Sequence, residues 1–181
     1  MSVETVNQIL SIATILNHLF LGAATILLFF KQSRIFIVTT LGKHGVLLAW
    51  SVALVATAFS LFYSEIVGFE PCKLCWLQRI FIYPQTILLG IAFFKKDWKI
   101  VDYVLPLTAV GMLFAFYHNY IYYGGTSVLP CSAFGLGVSC LTRYVFELGY
   151  VTIPLMSLTS FLLIGFFLLI QKMYNKRKAI S

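Results

Sequence analysis

The chain has 181 residues, of which 60% are hydrophobic and only 10% are charged, and its formal net charge is +7. In a soluble domain about a quarter of the residues are charged, so this composition excludes a soluble enzyme. It indicates a single integral membrane domain, and no nucleic acid is expected as a partner. In such a protein the placement of the basic residues says more than their sum, because they mark cytoplasmic loops.

Five segments are long and apolar enough to cross a bilayer. About 20 helical residues cover a hydrocarbon core of about 30 Å, and helices are expected because an open strand edge in lipid leaves backbone groups unpaired. In chain order the segments are 8–30, 46–68, 77–94, 101–123 and 151–170. The sequence therefore predicts an all-α membrane protein with five spans, the last three interrupted by Pro84, Pro106 and Pro154.

The first segment has to be distinguished from a signal peptide. It lacks a basic leading region, since Glu4 is the only charged residue before it, and it is longer than the apolar part of a signal peptide. We therefore predict a retained transmembrane helix, followed by a cytoplasmic linker that ends at residue 45. Asn17 and His18 within it are expected to form a buried polar pair that packs against another helix.

Lysines and arginines are distributed unequally between the two sides of this topology. Only Lys73, Arg79 and Arg143 fall on one side, and the other ten of the thirteen fall on the opposite side. The positive-inside rule then places the N-terminus outside and the C-terminus inside. Two outer loops, 70–76 and 124–150, hold all four cysteines.

The cysteines form two groups, Cys72 with Cys75 and Cys131 with Cys140. Disulfides persist outside the plasma membrane, and four cysteines allow three pairings, of which the local pairs are the simplest. A structural disulfide remains an alternative for the second pair. No metal is expected, because the second pair is spaced too widely for a usual Cys₄ zinc site. The first pair closes too small a loop to stabilise a fold much, which favours a redox role.

The residues around the first pair support this interpretation. Cys72 and Cys75 are expected to open the third span, where the partial positive charge of a helix N-terminus stabilises a thiolate. Arg79 follows Cys75 by four residues on the same helix face and would add to this effect. The alternative is an interfacial arginine that reaches the lipid headgroups. Such a thiol pair can accept electrons from a soluble dithiol, and a lipid-soluble quinone is a reasonable acceptor.

The run SEIVGFEPCKLCWLQRIFIYPQ, residues 64–85, resembles the signature of the DsbB/BdbC family of membrane disulfide-bond formation proteins. The matching elements are the Pro-Cys-x-Leu-Cys core, the Gln-Arg that follows it and the Tyr-Pro further along. A second run, FELGYVTIPLMSLTSF at 146–161, resembles the BdbC branch. The resemblance covers residues 46–170.

This resemblance implies both a fold and an activity. Residues 46–171 would form a four-helix redox bundle, preceded by the additional helix of residues 1–45 and followed by a basic cytoplasmic tail at 172–181. The protein would lie in the bacterial plasma membrane with its redox cysteines on the extracytoplasmic face. It would reoxidise an extracytoplasmic thioredoxin-fold thiol oxidase similar to DsbA or BdbD, and would pass the electrons to ubiquinone or menaquinone.

The resemblance also implies roles for individual residues. Cys72 and Cys75 would be the quinone-linked pair, with Cys75 next to the quinone and Arg79 supporting it. The second pair would meet the partner, with Cys131 taking its thiolate and Cys140 completing the pair. His118, near the outer end of the fourth segment, would help to hold the quinone.

Thiol–disulfide exchange requires sulfurs to touch, so the second outer loop is expected to fold back over the start of the third span.

Two features depart from the family pattern. The first segment has no counterpart, and peripheral packing and a partner contact are both open as its role. The short gap between Cys131 and Cys140 leaves open which of the two is attacked. A relative of vitamin K epoxide reductase and a non-enzymatic protein with structural disulfides are the alternatives, and the Gln-Arg and Tyr-Pro context argues against the former.

Overall fold

The computed structural model describes residues 3–126 and 139–180. Within these residues the helices are α1 (Val3–Phe29), α2 (Lys31–Gly42), α3 (Gly45–Leu61), α4 (Lys73–Lys95), α5 (Ile100–Tyr122) and α6 (Ile153–Ile180), and a π-helical turn, Phe62–Ile66, extends α3. All of the α-helices except α2 are long and apolar enough to cross a membrane, counting α3 together with its π-helical turn. The predicted all-α architecture with five spans is confirmed.

Helices α3 to α6 form a four-helix bundle. Each packs against its two neighbours in the cyclic order α3, α4, α5, α6, whereas α4 and α6 touch only slightly across the diagonal. The helices approach closely at Gly111 of α5, where an added Cβ would overlap the buried ring of Phe161 on α6. The shared core consists of apolar side chains from all four helices, among them Val46, Leu89, Val104, Ile164 and Leu168.

Hydrogen bonds between side chains reinforce this packing inside the apolar bundle. The Thr108 hydroxyl of α5 donates to Oε1 of Gln85 on α4 over 2.9 Å. Nδ2 of Asn119 on α5 donates to the Pro154 carbonyl of α6, also over 2.9 Å. Because hydrocarbon offers no competing hydrogen bonds, such contacts hold membrane helices in register.

The structure corrects two details of the sequence prediction. The stretch expected to be a linker contains α2, a helix of 12 residues that is too short to span a bilayer. Its apolar side chains Ile37, Val38 and Leu41 recur on one face and pack against Ile170 of α6. The expectation that Pro154 interrupts a span is wrong, because α6 begins at Ile153 and a proline fits the first turn of a helix.

Helix α1 lies outside the bundle and packs against α2 and α6. Side-chain hydrogen bonds to other described helices help to attach it. The Tyr63 hydroxyl donates to Oδ1 of Asn7 over 2.6 Å, and Nε2 of His18 lies 2.8 Å from Oγ1 of Thr159 on α6. The prediction that His18 packs against another helix is confirmed, although Asn17 and His18 are half-buried rather than buried.

Candidate redox site

The first cysteine pair lies at the start of α4. Cys72 is the extended residue that caps the helix, and Cys75 follows in the first turn, so α4 begins four residues earlier than the predicted third span. Cys72 is buried and Cys75 is half-buried. The Cys72 thiol donates a hydrogen bond to Sγ of Cys75 over 3.3 Å. The cysteines therefore open the helix, as the sequence predicts.

This hydrogen bond gives the two sulfurs different roles. The bond to Cys75 and, after it, burial raise the pKa of the Cys72 thiol to about 12, against a smaller opposite effect of His118. Cys72 thus keeps its proton at neutral pH. In the reduced pair Cys72 is the donor and Cys75 the acceptor.

His118 of α5 is almost fully buried, at 2% exposure, between the two outer loops. The side-chain amide nitrogen of Gln78 lies 3.0 Å from Nδ1 of His118. Because an amide nitrogen can only donate, Nδ1 accepts and Nε2 carries the proton. Nε2 lies 3.3 Å from the Cys140 carbonyl oxygen and 3.8 Å from Sγ of Cys72. His118 thus connects α4, α5 and the second outer loop.

Cys140 is buried in an apolar cluster with Cys72, Leu74 and Ile121. The prediction that the second outer loop folds back over the start of α4 is therefore confirmed for the described part of this loop, residues 139–150. Cys131, and with it the pairing of Cys131 and Cys140, lies outside the described residues.

A tight turn fixes the end of this loop. Leu148 and Gly149 both have positive φ, 52° and 79°. The backbone N–H of Tyr150 closes the turn on the Glu147 carbonyl over 3.2 Å, and Val151 donates to the same carbonyl over 2.8 Å. Positive φ at both central residues is the geometry of a type I′ turn, which returns the chain tightly. The turn returns the chain directly to the start of α6.

Arg79 is held by α3 rather than by a carboxylate. Its Nε donates to Oγ of Ser60 and its Nη2 to the Ser60 carbonyl oxygen, each over 3.0 Å. Its guanidinium carbon lies 5.3 Å from the ring centroid of Trp76. The π-helical turn begins two residues after Ser60, and such turns occur frequently at functional sites. Two of the five N–H donors of Arg79 are thereby engaged.

A cavity of about 610 Å³ extends from the cysteines into the protein. Cys72, Cys75, Arg79, His118 and Cys140 all line it, and its remaining wall is mainly apolar side chains of α1, α3 and α6. Near its outer end Phe69 stacks on Tyr63 at 5.7 Å and on Tyr144 at 4.5 Å between ring centroids. A deep apolar slot with a few polar groups at one end fits a quinone.

Cys72, Cys75 and His118 lie close enough together to be considered as metal ligands. The ligand atoms of Cys72, Cys75 and His118 lie within 4.8 Å of one another, and in the described part of the chain no fourth ligand joins this group. Structural zinc takes four protein ligands. The proton on Nε2 of His118 further disfavours coordination through that atom. The arrangement is better explained as a hydrogen-bonded thiol pair.

Sequence reasoning missed two contributors to this site. Gln78 belongs to the Gln-Arg element of the motif, which gave it no role, yet it fixes the tautomer of His118. Ser60 carried no signal at all, since a serine in an apolar span is unremarkable. Only the packing of α3 on α4 reveals that it holds Arg79.

Known proteins resemble this chain over the bundle and the site. The family model described as disulfide bond formation protein DsbB matches residues 42–171. The probable disulfide formation protein C of Bacillus cereus is 42% identical over 126 residues, which cover 68% of this chain and 88% of that protein. The disulfide bond formation protein C of Bacillus subtilis is 40% identical over 127 residues, covering 68% and 89%.

A similar protein is also found in another bacterial genus. A probable disulfide formation protein of Deinococcus radiodurans is 42% identical over 124 residues, which cover 65% of this chain and 81% of that protein. No solved structure matches the chain. The family match begins at the last residue of α2, so α1 and the rest of α2 lie outside it.

Proposed function

The chain belongs to the DsbB family of disulfide bond formation proteins, and on this premise we propose that it reoxidises an extracytoplasmic thioredoxin-fold thiol oxidase and passes the electrons to a membrane quinone. It is a membrane thiol–disulfide oxidoreductase that acts in disulfide bond formation. One observation carries the finer proposal. Cys140 and Cys72 share a buried cluster at one end of a large apolar cavity, and Cys75 and Arg79 line that cavity.

The first exchange would take place between the partner and the second cysteine pair. A thiolate of the reduced partner attacks the Cys131–Cys140 disulfide, with Cys131 as the predicted target, and a mixed disulfide forms. The second partner thiol then displaces Cys131, which leaves the partner oxidised and both Cys131 and Cys140 as thiols. Two electrons and two protons have moved to this protein.

The second exchange would take place within the buried cluster. The Cys140 thiolate attacks Sγ of Cys72 in the Cys72–Cys75 disulfide, and Cys75 leaves as the thiolate. Cys131 then attacks Cys140, which restores the second disulfide and leaves Cys72 and Cys75 reduced. Cys72 lies beside Cys140 in the buried cluster, and Cys75 lines the cavity within electrostatic reach of Arg79, which supports this order.

A bound quinone supplies the two-electron acceptor, and the net reaction converts partner dithiol and quinone into partner disulfide and quinol. Arg79 would donate to a quinone oxygen with N–H groups that Ser60 leaves unengaged. His118 lines the cavity, as its predicted quinone role requires. Both of its ring nitrogens already have partners, however, so the geometry supports it first as the residue that positions Cys140 beside Cys72.

The proposed location is the bacterial plasma membrane, with the cysteines on the extracytoplasmic face. The charge distribution supports this orientation, because the inner ends of α4 and α6 and the turn at 96–99 carry lysines. A membrane-impermeant maleimide should therefore label the reduced cysteines in intact cells. Labelling only after lysis would overturn the orientation.

The activity is tested with purified protein, a short-chain quinone and a reduced thioredoxin-fold oxidase. We expect quinone absorbance to fall only when the reduced partner is present, and Cys72→Ser and Cys75→Ser to abolish the change. Unchanged activity in both variants would refute the enzyme mechanism.

Arg79→Ala should raise the quinone KM while the cysteines still exchange, and an unchanged KM would refute the role proposed for Arg79.

A further inference from the structure

Helix α1 contributes one wall of the cavity. Leu10, Ala13, Thr14, Asn17 and Phe20 line it, and their spacing of three or four residues places them on one face of the helix. The other face carries exposed apolar side chains such as Ile9, Ile12, Leu16 and Leu19. Helix α1 is thus two-sided, with an outer face that is apolar from Ile9 to Leu19 and an inner face that includes polar residues.

Two polar side chains of this helix, Ser11 and Asn17, lie at least half-buried without a hydrogen bond to any described residue, and of the two only Asn17 lines the cavity. Thr14 satisfies its hydroxyl on the Leu10 carbonyl over 2.7 Å, Asn7 accepts from Tyr63 and His18 contacts Thr159. Asn17 lines the cavity, and its amide makes no hydrogen bond to any of the described residues. Asn17 is half-buried at an apolar wall, where an amide without a partner is unfavourable, so a ligand in the cavity that accepts a hydrogen bond accounts for its placement.

We propose that α1 closes the quinone cavity and that the Asn17 amide donates a hydrogen bond to a ring oxygen of the bound quinone. This rests on the function proposed above. A quinone has two carbonyl oxygens at opposite edges of its ring, and the cavity offers donors from two different helices, Arg79 on α4 and Asn17 on α1. The contacts of Asn7 with Tyr63 and of His18 with Thr159 fix the height and rotation of α1, so that Asn17 faces inward. The added helix thereby becomes part of the binding site.

The first test replaces Asn17 by leucine, which has the same number of side-chain heavy atoms, branched at the same carbon, and no hydrogen-bond donor. We expect the KM for a short-chain ubiquinone to rise about three- to tenfold, as for the loss of one neutral hydrogen bond. The kcat and the rate of thiol exchange with the partner should stay unchanged. Asn17→Gln, which keeps the amide, should recover part of the affinity. A KM equal to that of the wild type in Asn17→Leu would overturn the assignment of Asn17.

The second test compares two neighbouring positions on α1. Ala13→Trp would fill the cavity, whereas Ile12→Trp would place the same ring on the outer face, where Ile12 is 54% exposed. The readout is the amount of ubiquinone that each protein retains through purification, measured after solvent extraction. We expect Ala13→Trp to retain several-fold less than Ile12→Trp. Equal retention would refute α1 as a wall of the site.

The outcomes separate this inference from the function on which it rests. Wild-type protein that reduces no quinone with a reduced partner would refute the proposed function itself. Wild-type protein that reduces quinone, together with variants that behave like Ile12→Trp, would refute only the role of α1. If Ala13→Trp does not fold, as judged by its thermal transition, Asn17→Leu decides, because a leucine is favourable in a membrane-spanning helix.

Discussion

The two ends of the bundle use the same kind of polar contact for different purposes. Gln78 and Gln85 lie two turns apart on the same face of α4, and each bonds to a side chain of α5, His118 and Thr108 respectively. Around Gln85 the helices are closely packed, in a core that includes Leu89 and Val104. Around Gln78 the same bundle opens into the cavity beside the cysteines.

The difference shows what the two regions require. The inner half provides a rigid frame, because close packing and satisfied hydrogen bonds leave its helices little freedom. The outer end must keep reactive sulfurs in contact and leave room for a ligand. It therefore relies on directional hydrogen bonds, through Gln78, His118 and Arg79, where the inner half relies on packing.

The largest expected effect concerns the thiol of Cys72 at the outer end. With its pKa raised to about 12, Cys72 should be about 1% thiolate at pH 10, whereas an ordinary cysteine is almost fully ionised there. Alkylation of Cys72 in the reduced protein, followed by mass spectrometry, should therefore rise about tenfold per pH unit up to about pH 11. The same shift favours the folded reduced protein below about pH 9 and loses this contribution as the pH rises toward 12.

The control for this pH profile is Cys75→Ala, which removes the largest cause of the shift. Its Cys72 alkylation should level off at a lower pH than in the parent protein. Because burial slows alkylation at every pH, the shape of the profile decides rather than the absolute rate. A plateau near pH 9 in the parent protein would show that the thiol pair is not hydrogen-bonded as described.

The second effect tests the close packing of the inner frame. Gly111→Ala would press a methyl group against Phe161, which is fully buried and cannot move aside. We expect a loss of about 1–3 kcal/mol in the free energy of unfolding, measured by thermal or denaturant unfolding in detergent. Gly22→Ala is the matched control, because a Cβ there meets no atom within 4 Å. It should leave stability unchanged or raise it by up to about 1 kcal/mol.

The sequence predicts the frame better than it predicts the site. The length of the apolar segments alone predicts all five spans. Helix α2 is not predicted, because it begins with the charged residues Lys31 and Arg34 and its apolar stripe is short. The motif identifies Cys72, Cys75 and Arg79, since their chemistry is local to one helix end. The contacts of Gln78 with His118 and of Arg79 with Ser60 depend on how three helices pack, and one sequence does not carry that information.

The third effect compares the two glutamines directly. Gln78→Leu removes the donor that fixes the tautomer of His118, and we expect the proposed electron transfer from the second cysteine pair to the first to slow about tenfold. Gln85→Leu removes an equivalent buried contact with Thr108 and should lower stability by a similar amount without slowing this transfer. Stopped-flow mixing with reduced partner, followed by acid quench and thiol labelling, measures the step. Equal slowing in both variants would mean that the transfer does not depend specifically on the contact between Gln78 and His118.

The smallest effect concerns the support of Arg79 at the cavity wall. Ser60→Ala removes the hydroxyl that accepts from Nε of Arg79 and from the Tyr83 hydroxyl, but leaves the Ser60 carbonyl that accepts from Nη2. The guanidinium keeps one anchor, so we expect only about a two- to fivefold rise in the quinone KM. Ser51→Ala is the control, because Ser51 also lines the cavity from α3 but bonds only to its own helix, at Leu47. If both variants raise the KM equally, the change reflects the polarity of the wall. If only Ser60→Ala raises the KM, quinone binding depends on the orientation of Arg79.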